Sequence, residues 1–168
     1  MTTTPLRVRE AIMADINVLV DFNLAMALET EHKTLDPRTL SAGVAAVLAE
    51  PKRGFYLVAE NERDVVGCLM ITYEWSDWRN GDWWWLQSVY VRPDARRLGV
   101  FRALYAEVER LASGRRDVAG VRLYVERDNV HAQRTYASLG MHEEHYLMYG
   151  KVLREDLKEI LTTPRGGD

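Results

Sequence analysis

The stretch Val89-Tyr90-Val91-Arg92-Pro93-Asp94-Ala95-Arg96-Arg97-Leu98-Gly99-Val100-Phe101 decides the fold. It reads as a strand, a sharp basic turn and the start of a helix. Pro93 ends the strand because proline brings no N–H to the ladder. After Gly99, the residues Val100, Leu104, Val108 and Leu111 fall on one helical stripe until Ser113-Gly114. A helix start offers free backbone N–H groups and the positive end of the helix dipole. With Arg96, Arg97 and Arg102 beside it, this turn can cradle an anion such as a pyrophosphate. The same arginines could equally form a solvated basic turn. The dinucleotide pattern G-x-G-x-x-G is missing, since only Gly99 is present, and so is the Walker pattern.

Working outward, helical and strand patterns alternate along the chain, as in an α/β or α+β sheet with covering helices. Residues 6–10 alternate apolar and charged groups and read as a first strand. Asp15 opens a helix with Ile16, Leu19, Val20, Asn23, Leu24 and Ala27 on about one face. A second helix follows Pro37. Residues 55–59 and 65–73 form a hairpin across the turn at Asn61, Glu62, Arg63 and Asp64. Asn80-Gly81 is a turn signal, and residues 83–91 are a central strand. Further strands are expected at 121–125 and 145–152. Between them a short helix, 129–139, is closed by Gly140, and residues 155–161 suggest a final helical turn or two. The resulting order is β-α-α-β-β-β-α-β-α-β, in one domain over residues 1–168 with a frayed tail at 162–168.

Bulk properties limit the function classes. The chain has 168 residues, enough for one core. A net charge of -3 argues against a general nucleic-acid binder. No apolar run is long enough to cross a bilayer, and residues 1–9 lack the apolar core of a signal peptide. The one cysteine, Cys68, cannot form an intrachain disulfide and sits in an apolar strand, where it reads as a small buried hydrophobe. These features favour the cytoplasm, with no membrane and no nucleic acid as partner.

A second informative stretch runs Asn129-Val130-His131-Ala132-Gln133-Arg134-Thr135-Tyr136-Ala137-Ser138-Leu139-Gly140-Met141. Asn129 can cap the helix or reach a ligand. Tyr136 lies two turns further on about the same face, and a tyrosine there is commonly a packing residue.

Together the two stretches resemble the GNAT superfamily of N-acetyltransferases, over nearly the whole chain. The family's pyrophosphate loop, Q/R-x-x-G-x-G/A, is matched by Arg96, Arg97, Leu98, Gly99 and Val100. Phe101 departs from it, standing where glycine or alanine is usual. The later pattern N-x-x-A-x-x-x-Y-x-x-x-G-(F/M) is matched by Asn129, Ala132, Tyr136, Gly140 and Met141. The resemblance implies a mixed central sheet of six to seven strands with helices on both faces. It further implies a splayed strand pair, opening between residues 83–91 and 121–125, that takes the pantetheine arm of acetyl-CoA. Backbone groups of Val89, Tyr90 and Val91 would hold that arm. Residues 96–101, with Arg102 and Asn129, would complete the cofactor site, and Tyr136 would face the sulfur.

The implied chemistry is attack of a primary amine of a small molecule or peptide on the thioester, with no metal. The Val89 N–H would meet the oxyanion, and Tyr136 would protonate the leaving thiolate as general acid. Where many relatives carry a glutamate base this chain has Gln87. Glu74, Glu29, Glu31 or His32 are the alternative bases, with Glu74 the candidate catalytic one. Glu29, Glu31 and Gln87 are the expected acceptor-side residues. Acidic groups beside tryptophans would favour a cationic amine, unless they are simply solvated. Trp83, Trp84 and Trp85 alternate faces on a strand, so some of them must leave the core for a pocket or an interface. Relatives of this family are often dimers, which puts a homodimer among the expected assemblies. An acyl-CoA-binding sensor without turnover remains the alternative, and an interaction module using the tryptophan face is a third. His142-Glu143-Glu144-His145 resembles a metal motif only superficially, because on a strand positions three apart face opposite ways.

Overall fold

The computed structural model describes residues 6–62 and 64–157. They fall into two compact units, one ending at Leu123 and the other beginning at Tyr124.

The first unit is built on a five-stranded sheet in the order β1-β2-β3-β4-β5. Its elements are β1 (Arg7–Glu10), α1 (Ile16–Glu31), α2 (Pro37–Ala49), β2 (Gly54–Glu60), β3 (Val65–Ser76), β4 (Gly81–Val91), α3 (Val100–Ser113) and β5 (Val118–Arg122). The first four strands pair antiparallel, and β5 joins β4 in parallel after α3 crosses over between them. Strand alternation gives the sheet two apolar faces. On one, Tyr56, Val58, Cys68 and Tyr90 pack with Leu19 and Phe22 of α1 and Val44 of α2. On the other lie Leu57, Leu69, Ile71, Trp84 and Leu86, all buried. Helix α3 covers this second face: a Cβ added to Gly67, which shares it, would come 2.8 Å from Val100 Cγ1. Helices on both faces are therefore found as expected.

Local chemistry explains the element boundaries. Asp36 caps α2, accepting from the Thr39 N–H at 3.0 Å, and Pro37 occupies the first helical position, where its missing N–H costs nothing. Asp15, in a 3-10 turn ahead of α1, is buried and accepts from Arg9 Nη1 at 2.7 Å, Arg9 Nη2 at 3.0 Å and the Ile12 N–H at 2.8 Å. Arg9 Nε also donates to Glu60 at 2.9 Å, so one guanidinium ties β1, β2 and the start of α1. The Arg9 hydrogen bonds hold the Asp15 carboxyl below its ordinary range.

The second unit contains α4 (Val130–Ser138), with Asn129 Oδ1 accepting from the Ala132 N–H at 3.1 Å as its cap. Gly140 has φ +84°, the left-handed conformation that suits the end of a helix.

Several expectations are corrected. Strand β5 lies at Val118–Arg122, not at 121–125, because its partners are Asp82 to Trp85 at the beginning of β4. Residues 145–152 form no strand. Tyr146, Leu147, Met148 and Tyr149 there are exposed, and an extended segment without a partner gains no ladder to hold it. The sheet accordingly has five strands among the described residues, fewer than the six to seven expected. A 3-10 turn at Glu155–Leu157 stands where helical turns were expected over 155–161, and residues 158–161, like the tail at 162–168, lie outside the described residues.

Candidate active site

The ladder between β4 and β5 ends at the pair Trp85 and Arg122. Beyond it β4 continues through Val91, and among the described residues no strand pairs with that second edge of residues 86–91. Backbone donors and acceptors along such an edge are ready to hold an extended ligand as if it were another strand.

Within this segment β4 is distorted. Cys68 faces Tyr90 and Met70 faces Gln87, so β4 carries one extra residue there, a β-bulge. Ser88 takes it up with φ +48°, unusual for a residue with a side chain. The bulge is supported from the α1 side. The Tyr56 phenol is buried and pushed up in pKa by that burial, with the Ser88 and Asn23 side chains acting against the rise. Asn23 Nδ2 in turn donates to the Leu19 carbonyl at 2.8 Å. Cys68 lies beneath, its thiol pushed up to about 12 by burial and its Sγ 3.6 Å from the Ser88 carbonyl. Cys68 is thus the inert buried hydrophobe expected of it.

On the α1 face of the sheet, Gln87 Nε2 donates to Thr72 Oγ1 at 2.6 Å. Trp83 and Trp85 share that face, whereas Trp84 is buried on the other, which bears out the prediction that the three cannot enter one core. Glu74 accepts from Trp85 Nε1 and pairs with Arg122 Nη1 at 3.2 Å. Arg122 lies over the Trp83 ring at 3.9 Å, and Arg79 lies 5.2 Å from the same ring. Two arginines thus lie against the Trp83 ring, one of the tryptophans expected near the acceptor. Trp75 and Trp78 are exposed.

The loop after β4 begins with a 3-10 turn at Pro93–Ala95. Arg92 is paired with Asp94 and Asp64. Arg97 (φ +66°) and Gly99 (φ +82°) both adopt left-handed backbone, which turns the chain sharply into α3. The first intrahelical bond of α3 runs from the Ala103 N–H to the Gly99 carbonyl at 3.0 Å, so the N–H groups before Ala103 are the helix's outward donors. Leu98 is exposed, Val100 is buried, and Phe101 packs on Tyr105 one turn along, with ring centroids 6.2 Å apart. Phe101 therefore belongs to the helix surface.

Two of the expected site residues have partners that sequence reasoning missed. Arg96 Nη2 donates to Glu29 Oε2 at 2.5 Å and its Nε to the Val91 carbonyl at 3.0 Å. Tyr90 Oη donates to Glu29 Oε1 at 3.1 Å. Arg96 holds the Glu29 carboxyl below its ordinary range. Glu31 pairs with Lys33 on the exposed end of α1. His32, just beyond, has φ +53° and ends the helix.

In the second unit, burial raises the Tyr136 phenol above its ordinary pKa, so it stays protonated at neutral pH. Among the described residues, no three His, Cys, Asp or Glu side chains gather as a metal-ligand set. No helix of the described residues is long and apolar enough to cross a membrane.

An open strand edge runs into a basic loop and a helix N-terminus, an arrangement suited to an extended ligand that carries an anionic group. The chain belongs to the acetyltransferase (GNAT) family, whose model matches residues 22–141. The crystal structure of a possible acetyltransferase from Clostridium difficile 630 is similar to it at 42% identity and TM-score 0.83, over 89% of this chain and 98% of that one. An aminoglycoside acetyltransferase from an uncultured soil metagenomic sample, in complex with sisomicin, shares the fold at 16% identity and TM-score 0.71, over 89% and 97%. So does AAC(6')-Iy in complex with a bisubstrate analogue built on CoA, at 17% identity and TM-score 0.71, over 89% and 100%. Comparison with curated protein sequences returned no match.

Proposed function

We propose that this protein transfers acetyl from acetyl-CoA to a primary amine of a small molecule or peptide. The observation that carries this reading is the edge of β4 at residues 86–91, which leads directly into the loop and first turn of α3. The pantetheine amides would pair with that edge, and the pyrophosphate would sit on the α3 N-terminus. Neighbours of the same fold seen with CoA-derived ligands or an aminoglycoside support a small-molecule acceptor.

The step is direct attack. The amine nitrogen forms a bond to the acetyl carbon, the C–S bond breaks, the amine loses a proton and the thiolate gains one. The Val89 N–H is the proposed donor to the oxyanion, presented by the bulge at Ser88. Tyr136 is the proposed proton donor to sulfur, a role its raised pKa suits. Glu74, the candidate base, is engaged by Arg122 and Trp85. The incoming amine arrives neutral, or gives its proton to one of the candidate bases Glu74, Glu29, Glu31 or His32, directly or through water.

One observation favours a second reading. The family's base position holds Gln87, hydrogen-bonded to Thr72, which suits a chain that binds acyl-CoA as a sensor without turning it over. Thiol release from acetyl-CoA across a panel of amines decides between the two. Amine-dependent release identifies the enzyme, and tight binding with no release for any amine identifies the sensor.

A further inference from the structure

Arg96 matches the first position of the pyrophosphate loop, and its charge suggests a phosphate ligand. Its surroundings indicate otherwise. The guanidinium is engaged on three sides within its own unit: Glu29 Oε2 at 2.5 Å, the Val91 carbonyl at 3.0 Å, and the face of the Tyr90 ring at 5.7 Å. Glu29 is held from a second direction by Tyr90 Oη at 3.1 Å. The Tyr90 ring is in turn packed on Phe22 of α1, with centroids 5.0 Å apart.

These contacts join three elements that are distant in sequence. Glu29 lies in the last turn of α1, Tyr90 and Val91 end β4, and Arg96 begins the turn into α3. Strand geometry adds a further point. The Arg92 N–H donates to Val66 on β3, so Val91, its neighbour, directs its backbone groups away from β3. The Val91 carbonyl thus lies on the open edge of β4, and Arg96 Nε covers it. By contrast Arg97 and Arg102 are exposed and form no ion pair among the described residues.

We propose that Arg96 is a positioning residue, clamped by Glu29 and Tyr90, that caps the end of the open β4 edge and fixes the loop against α1. Phosphate charge is met by Arg97, Arg102 and the α3 N–H groups. The clamp refines the acetyl-CoA reading and rests on it for its effect on ligand binding, but not for its effect on the free protein.

The test uses Glu29→Gln, Arg96→Ala, Arg96→Lys and the double variant in the full chain. In hydrogen exchange without ligand, either single loss should speed exchange both in the last turn of α1 and in residues 96–99. Unchanged exchange at both places would overturn the clamp whether or not the chain binds CoA. In calorimetry with CoA, Glu29→Gln should weaken binding about threefold to tenfold, as expected for a partly exposed charged pair. Arg96→Ala should match it, and the double variant should be no worse than Arg96→Ala alone, because the two residues act as one unit. Arg96→Lys should resemble Arg96→Ala, since an ammonium cannot hold a carboxylate and a carbonyl together in the guanidinium's geometry. The loss should appear in KM for acetyl-CoA. A phosphate-ligand role gives the opposite pattern: Glu29→Gln binds CoA as well as wild type or better, and Arg96→Lys keeps its affinity. No CoA binding by the wild type would defeat the acetyl-CoA reading while leaving the exchange test of the clamp in force.

Discussion

Trp85 and Arg122 form the last pair of the parallel β4–β5 ladder, and everything proposed about the cofactor depends on where that pair falls. Before it, β4 is bonded on both sides. After it, residues 86–91 keep only their β3 partner. Gly120 lies in the ladder ahead of that pair, opposite Trp83. A Cβ on Gly120 would come 2.4 Å from the Trp83 ring, so only glycine lets the ring lie flat across β5 beneath Arg122.

The bulge at Ser88 makes a stability prediction. A β-branched residue tolerates φ +48° poorly, and Ser88→Val also removes the hydroxyl that meets Tyr56. The substitution should cost about 1–3 kcal/mol, read from denaturant midpoints at constant slope. Ser88→Gly, free of the strain, should cost much less. Equal stability of the two variants would show that the bulge is not strained.

Gln87→Glu places a carboxylate beside Thr72 in the position where many relatives carry their base. If deprotonation of the amine limits the rate, the variant should raise kcat/KM at neutral pH and add an acidic limb to the pH profile. A profile identical to wild type would show that proton removal from the amine is not limiting.

Tyr136→Phe keeps the ring and removes the proton. Turnover should fall by roughly 10²–10⁴-fold with little change in acetyl-CoA affinity. Because burial raises the phenol's pKa, wild-type activity should not decline through loss of this proton until well above neutral pH. Undiminished turnover when chemistry limits the rate would remove Tyr136 from the mechanism.

Acid should weaken the first unit through Asp15. Its pKa is lower in the folded chain, chiefly because of the Arg9 hydrogen bonds, so its stabilisation is complete above the ordinary carboxylate value of about 3.9. The contribution is lost as pH falls from there through the folded pKa. Asp15→Asn should cost about 2 kcal/mol at pH 7 and flatten the acid limb of stability against pH, measured by urea unfolding. An unchanged acid limb would assign the acid sensitivity to other carboxylates.

The parts legible in the sequence are those written in local chemistry. Pro93 and Gly99 bracket the loop, Pro37 and Asp36 start α2, and Asn129 and Gly140 bound α4. What the sequence hides is set by partners far along the chain. Nothing in 86–91 signals that Ser88 must bulge, because the register is imposed by β3 and supported by Tyr56 and Asn23. Arg96 reads as a phosphate ligand until Glu29, 67 positions away, appears beside it. Strand β5 begins earlier than its apolar pattern suggests because pairing with β4 recruits Val118 and Gly120, the glycine being a poor strand former on its own. The alternation of 145–152 is local and finds no ladder.

Hydrogen exchange with and without acetyl-CoA tests most directly whether the cofactor lies along the open edge of β4. A pantetheine arm seated there should slow exchange in residues 86–91 and in the first turn of α3, while leaving β1 and β2 as they were. Calorimetric binding of acetyl-CoA without protection of residues 86–91 would place the cofactor elsewhere and contradict the site.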